Sequence, residues 1–125
     1  MNSLLIEGTA KTPSVRFSAE SSILELQGRS IPENSIEFYQ PVYDWLDAYA
    51  RGPAQTTTVR IQLEYFNTSS SKCLLDVLRK LEALHKSGKS AVKVEWMYED
   101  EDEDMMEAGD DYRTIVTLPF ELKKI

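Results

Sequence analysis

Thr56-Thr57-Thr58-Val59-Arg60-Ile61-Gln62-Leu63-Glu64-Tyr65-Phe66 runs directly into Asn67-Thr68-Ser69-Ser70-Ser71-Lys72. The first part is rich in β-branched and aromatic residues, and Val59, Ile61, Leu63 and Tyr65 alternate with polar partners. That pattern predicts a half-buried strand. The hydroxyl run breaks it. Beyond the run, Leu74, Val77, Leu78, Leu81 and Leu84 recur at three- and four-residue steps. They predict a helix from about Ser71 to Lys86, stopped by Gly88. A strand that ends in a hydroxyl cluster and restarts as a helix is the core of a βαβ unit.

Working outward, Leu4-Leu5-Ile6, the Val15/Phe17 pair and Ile23-Leu24/Leu26 read as three short strands of an opening meander, with Gly8 and Gly28 as breaks. Ile31-Pro32-Glu33-Asn34 is a turn. Ile36 to Ala50 carries a helical face of Tyr39, Val42, Tyr43, Leu46 and Tyr49, ended by Arg51-Gly52-Pro53. Pro41 inside it favours a main helix that begins near Gln40 with proline at its first position; one turn followed by a kink is the alternative. Ala91 to Tyr98 is a further strand, a short helix is expected around Asp104–Ala108, and Ile115 to Leu122 closes the chain as a strand. Pro119 places that last strand at an edge or a bulge. The predicted order is βββ-α-β-α-β-(α)-β. It is an α/β chain with a mixed sheet of about six strands, two main helices and a short third, in one domain spanning 1–125.

Bulk properties narrow the function. The 125 residues, 42% of them apolar, are enough to bury a core without a metal or disulfide staple. No apolar run approaches the ~20 residues a membrane span needs, and the first residues lack a signal-peptide layout. A single cysteine, Cys73, permits no internal disulfide and fits a reducing compartment, so a cytoplasmic location is expected. The net charge of −7 argues against nucleic acid as the main partner. That charge is local: residues 99–111 hold nine acids and no base.

Enzyme chemistry finds little footing. His85, the lone histidine, falls near a helix end, where a surface or dipole role is the ordinary one. Cys73 lies beside Leu74 as a small core residue would. No GxSxG, HExxH, CxxC or GxxxxGK[ST] pattern occurs. Asp100, Asp102 and Asp104 have the opening spacing of a calcium loop, but Met105 stands where the loop needs glycine. No metal or other cofactor is expected. Glu99, Asp100, Glu101, Asp102, Glu103 and Asp104 read as a solvated loop that favours the next helix start; the other reading is a docking face for a basic partner.

The hydroxyl run admits two readings. One is capping of the helix that follows. The other is modification, because a helix N-terminus tolerates a phosphate and strand-to-helix junctions occupy the edge where partners dock.

A resemblance favours the second. Leu63 to Lys72, Trp96-Met97-Tyr98-Glu99-Asp100 and Asp104-Met105-Met106-Glu107-Ala108-Gly109-Asp110-Asp111 resemble the signature segments of the SiaC family of bacterial regulatory phosphoproteins. Thr12-Pro13, Pro32-Glu33-Asn34, Tyr39-Gln40-Pro41 and Leu118-Pro119-Phe120-Glu121 are smaller matches. The resemblance implies a fold similar to the STAS domains of anti-sigma-factor antagonists, with Thr68 in the place of their phosphorylated hydroxyl. It implies a partner switch as well. A dedicated kinase phosphorylates the threonine, and a metal-dependent PP2C-like phosphatase reverses it. The unphosphorylated form binds and activates a diguanylate cyclase, raising cyclic di-GMP and favouring aggregation and biofilm. Around Thr68, Asn67 is expected to shape the turn, Ser69, Ser70 and Ser71 to cap the helix, and Lys72 to contact the phosphate. Ser69 and Ser70 remain alternative acceptors. The competing function is a passive protein-interaction adaptor in which Thr68–Ser71 only cap a helix.

Overall fold

The computed structural model describes all residues, 1–125. In chain order the elements are β1 (Leu4–Ile6), β2 (Ser14–Ser18), β3 (Ile23–Ser30), α1 (Ser35–Tyr49), β4 (Thr56–Phe66), α2 (Thr68–Lys86), β5 (Ala91–Tyr98), α3 (Glu103–Ile115) and β6 (Phe120–Lys124). The predicted order is the observed one. The strands form one six-stranded sheet in sequence order, β1-β2-β3-β4-β5-β6. The β1-β2-β3 meander is antiparallel, whereas β3 to β6 are parallel and joined through the three helices.

One face of the sheet makes the core. Leu24 and Leu26 of β3, Val59, Ile61 and Leu63 of β4, and Val92, Val94 and Trp96 of β5 are buried beside Leu74, Val77, Leu78 and Leu81 of α2. The intervening residues look the other way. There Arg16, Glu25, Arg60 and Glu95 stand opposite one another in register across four strands, and Arg60 and Glu95 form an ion pair. A charged, uncovered face is what stepwise crossovers in one direction leave behind. Glu95 is its fixed point. Lys123 Nζ donates to it at 2.9 Å and Arg60 Nε at 3.0 Å, and the Lys93 ammonium is 3.6 Å away. These cations, the Lys123 hydrogen bond foremost, outweigh burial and hold its carboxyl down at about 2.

The register slips once. Gly28 pairs with Leu63, but Arg29 pairs with Tyr65, so Glu64 is an extra residue on β4. Gly28, at φ +118°, accommodates the bulge on the partner strand. Because of that extra residue, Phe66 turns back to the core side, packing against Trp96 and Tyr112, while Glu64 and Tyr65 are exposed in succession. The bulge thus sets the angle at which the chain enters Asn67.

Three expectations need correction. First, α1 does not begin near Gln40. It starts at Ser35 and runs through Pro41, after Asn34 Oδ1 accepts the Glu37 N–H at 3.1 Å. Proline is tolerated because Glu37, whose carbonyl loses its partner, and Pro41 both lie on the exposed side. Second, α3 is not a short helix over Asp104–Ala108 but a 13-residue one that continues through Gly109. Glycine is there for closeness: a Cβ at that position would fall 2.4 Å from Trp96 Cδ1. The Trp96 indole N–H donates to the Met105 carbonyl at 3.0 Å, which locks the helix onto β5. Third, the last strand is Phe120–Lys124, and Ile115 is the final residue of α3. Pro119 precedes that edge strand and its carbonyl accepts the Val94 N–H at 2.9 Å. No helix is long and apolar enough to cross a membrane.

Candidate functional site at the start of α2

At the β4–α2 junction the strand stops at Phe66 and the helix begins at Thr68. The residue between them, Asn67, is the cap. Its Oδ1 accepts the Ser70 N–H at 2.9 Å, and its carbonyl accepts the Ser71 N–H at 2.9 Å. This corrects the division of labour expected from the sequence. Capping falls to Asn67, and Ser69, Ser70 and Ser71 lie inside the first turn. The N–H groups of Thr68 and Ser69 remain as the free donors of the helix start.

Each serine is tied to a different neighbour. Ser70 is fully buried, with Ser30 Oγ donating to it at 2.8 Å and Tyr39 Oη 2.7 Å beyond Ser30. Ser69 donates to Asn67 Oδ1 at 3.2 Å and meets Ser35 Oγ of α1 at 2.6 Å. Ser35 and Ser70 are a longer 3.5 Å apart. With one proton per hydroxyl, these contacts run in one direction. Tyr39 donates to Ser30, Ser30 to Ser70, Ser70 to Ser35, Ser35 to Ser69, and Ser69 to the Asn67 amide oxygen. Ser71 is bound on the opposite side: Tyr112 Oη of α3 donates to the Ser71 carbonyl at 2.8 Å and lies 3.1 Å from its Oγ. Burial pushes the Tyr39 phenol up to about 12 and raises that of Tyr112 as well, so both stay neutral donors.

Thr68 is the exception. It is exposed, and its hydroxyl takes no part in any hydrogen bond of the protein. It is the first residue of the helix, and no acidic residue occupies that turn. Lys72 is exposed, forms no ion pair, and lies four residues on, on the same helical face. A dianion on Thr68 Oγ1 would meet two free N–H groups, the positive end of a 19-residue helix and one unpaired ammonium.

The acidic stretch lies at the next junction along the same edge of the sheet. Glu99, Asp100 and Glu101 are an exposed loop, and Asp100 pairs with Lys124 at 3.2 Å. Asp102 caps α3, accepting the Met105 N–H at 3.0 Å; Glu103 and Asp104 fill the first turn. No hydrogen bond or ion pair joins these residues to Thr68, so the two groups share an edge without forming one cluster. The remaining candidates are occupied. His85 Nδ1 accepts the Val92 N–H at 3.1 Å, and Cys73 is buried.

Ser30, Ser35, Tyr39 and Tyr112 were not among the predicted site residues. Only Ser30 left a trace in the sequence, since counting Leu24, Leu26 and Gly28 by twos makes it an inward-facing polar residue on β3. Tyr39 was legible only as part of an apolar stripe, and its hydroxyl is what matters.

This is an α/β domain with helices on one face of its sheet and one free hydroxyl at a strand-to-helix junction, a place where a helix N-terminus can hold a phosphate. Comparison with known proteins makes this specific. Residues 6–125 match the SiaC family regulatory phosphoproteins, and the chain belongs to that family. An uncharacterized protein of Pseudomonas aeruginosa strain UCBPP-PA14 is 32% identical over 123 residues, covering 98% of this chain and 97% of that protein. The crystal structure of apo-SiaC from P. aeruginosa is 32% identical, covers 98% of this chain and 99% of its own, and has a TM-score of 0.89. A crystal structure of the diguanylate cyclase SiaD in complex with its activator SiaC, from the same organism, matches with a TM-score of 0.91, 32% identity and coverage of 98% and 99%. The mixed six-stranded sheet and three helices are therefore those of the solved SiaC structures.

Proposed function

We propose that this chain is a phosphorylation-controlled partner switch acting on a diguanylate cyclase. The unphosphorylated form binds and activates the cyclase; a phosphate on Thr68 breaks the contact. A dedicated kinase adds the phosphate and a PP2C-like phosphatase removes it. The output is cyclic di-GMP in the cytoplasm and, through it, aggregation and biofilm. The chain acts by binding and carries no catalysis of its own, in keeping with its histidine and cysteine already serving the fold.

One observation carries the assignment of Thr68. Among the four consecutive hydroxyls, three are committed to Ser30, Ser35, Asn67 or Tyr112, and the fourth is exposed and unengaged. Asn67 already caps the helix, so capping does not account for a threonine there. That weighs against the passive-adaptor reading and against Ser70 as acceptor. The mechanism is local: the added ~1.5–2 negative charges are tolerated at the helix start, but an interface packed on a neutral threonine has to bury them unpaired.

Intact mass and site mapping of protein from its native cells, with Thr68→Ala alongside, test this. The expected result is a single phosphate on residue 68 that disappears in the variant. Modification at Ser69 with residue 68 always bare contradicts it.

A further inference from the structure

We propose that the helix-free face of the sheet is self-complementary and pairs with the same face of a second copy of this chain, about a two-fold axis parallel to the strands and midway between β3 and β4. This inference is independent of the proposed function.

A parallel sheet is ordinarily covered on both faces. Here β3 to β6 are four consecutive parallel strands, and the core lies on one side of them only. On the other side, buried neighbours fix the direction of each charged residue. Arg16 stands between Val15 and Phe17, Glu25 between Leu24 and Leu26, Arg60 between Val59 and Ile61, and Glu95 between Val94 and Trp96. In register they form one row across β2 to β5, with the signs plus, minus, plus, minus.

Strands about 4.8 Å apart space that row evenly. A row of even length and alternating sign is its own complement when reversed, and the proposed axis reverses it. Glu25 then meets the copy's Arg60, and Arg60 the copy's Glu25. Arg16 falls over Glu95 and over Glu121, which stands beside Glu95 on β6. Glu95 already has three cations around it, so the outer attraction falls to Glu121. The ion pairs of β6 use Lys123 and Lys124 and leave that carboxylate free. The next row obeys the same axis. Gln27 and Gln62 are in register, and reversal sets each amide against the other, donor to acceptor. An axis running across the strands would instead put Arg16 on Arg16 and Glu25 on Glu25, and like charges in contact are costly. The charge order therefore selects one arrangement.

Six strands of about six residues give a face of roughly 500 Å² per copy, the size of a transient interface. Because α2 packs on the core side, pairing leaves Thr68 exposed on both copies.

Sedimentation velocity of the full chain tests this, with thermal melting as the check on each variant. The mass of the wild type is expected to rise from that of one chain toward that of two between about 10 μM and about 1 mM. Glu25→Arg is expected to stay monomeric throughout, and so is Arg16→Glu, whose parent side chain has no ion pair within the chain to lose. Glu107→Arg makes the same charge change on an exposed residue of α3 and is expected to pair as the wild type does. Glu25→Arg mixed with Arg60→Glu is expected to recover pairing, because each chain then supplies the sign that the other needs. Wild type that remains monomeric at about 1 mM overturns the proposal. So does a dimer that survives both Glu25→Arg and Arg16→Glu, since it forms through another face. A mixture as monomeric as its two components, both melting as the wild type does, overturns the strand-parallel axis.

Discussion

The β4–α2 and β5–α3 junctions stand side by side on one edge of the sheet, and both open with an Asx cap. Asn67 accepts the Ser70 N–H at 2.9 Å and Asp102 accepts the Met105 N–H at 3.0 Å. After the cap they diverge. The α3 start brings its own anions, Glu103 and Asp104, so its helix dipole is already met. The α2 start is neutral, with hydroxyls where α3 has carboxylates. A phosphate on Thr68 would give α2 what α3 has permanently. The lesson concerns reversibility: one junction is acidic by sequence, and its neighbour is neutral, which under the proposed function leaves room for an acidic group that is added and removed.

Substitutions at the two junctions can break or sharpen this contrast. The largest effect is expected at α3. Gly109→Ala forces a methyl into Trp96 and should cost about 1–3 kcal/mol or more in urea unfolding. A cost below a few tenths would mean that α3 is not seated on the indole. Ser70→Ala comes next. It removes the acceptor of the buried Ser30 hydroxyl and should destabilise by about 1–2 kcal/mol. Asn67→Ala removes the cap and should cost about 1 kcal/mol. Thr68→Ala should be smallest, within about 0.5 kcal/mol in either direction. The order Ser70 > Asn67 > Thr68 separates a structural run of hydroxyls from one held free for modification. Equal costs at residues 68 and 70 would erase the distinction.

An acid titration offers a check remote from both junctions. The Glu95 carboxyl is lowered from 4.5 to about 2, so between those values the unfolded chain binds more protons than the folded one. Stability present above pH 4.5 is therefore lost as pH falls toward 2. Wild type and Thr68→Ala should lose the same amount in thermal melts over that window, since Glu95 lies on the open face.

How much of this was legible depends on whether a feature is periodic. The alternation of β4, the stripe of α2 and the meander are repeated signals, and they predicted element order and sheet type. Single-residue events were not readable. Pro41 and Gly109 look like interruptions, yet the first is harmless on an exposed helix face and the second is required by Trp96. The Glu64 bulge shows only in register. At the site, Thr68 was singled out by position and by resemblance, while its distinction from Ser69 and Ser70 needed the partners Ser30, Ser35 and Tyr112, which come from three other elements. The acidic run was legible as a helix start, and its separation from Thr68 was not.

The measurement closest to the central claim is the affinity of the chain for a diguanylate cyclase, SiaD serving as the probe, with and without phosphate on Thr68. The account predicts binding by the unmodified chain, a loss of roughly 100-fold or more on phosphorylation, and unfolding curves that stay alike. Equal affinity in the two states, or loss of binding only because the phosphorylated chain unfolds, would contradict it.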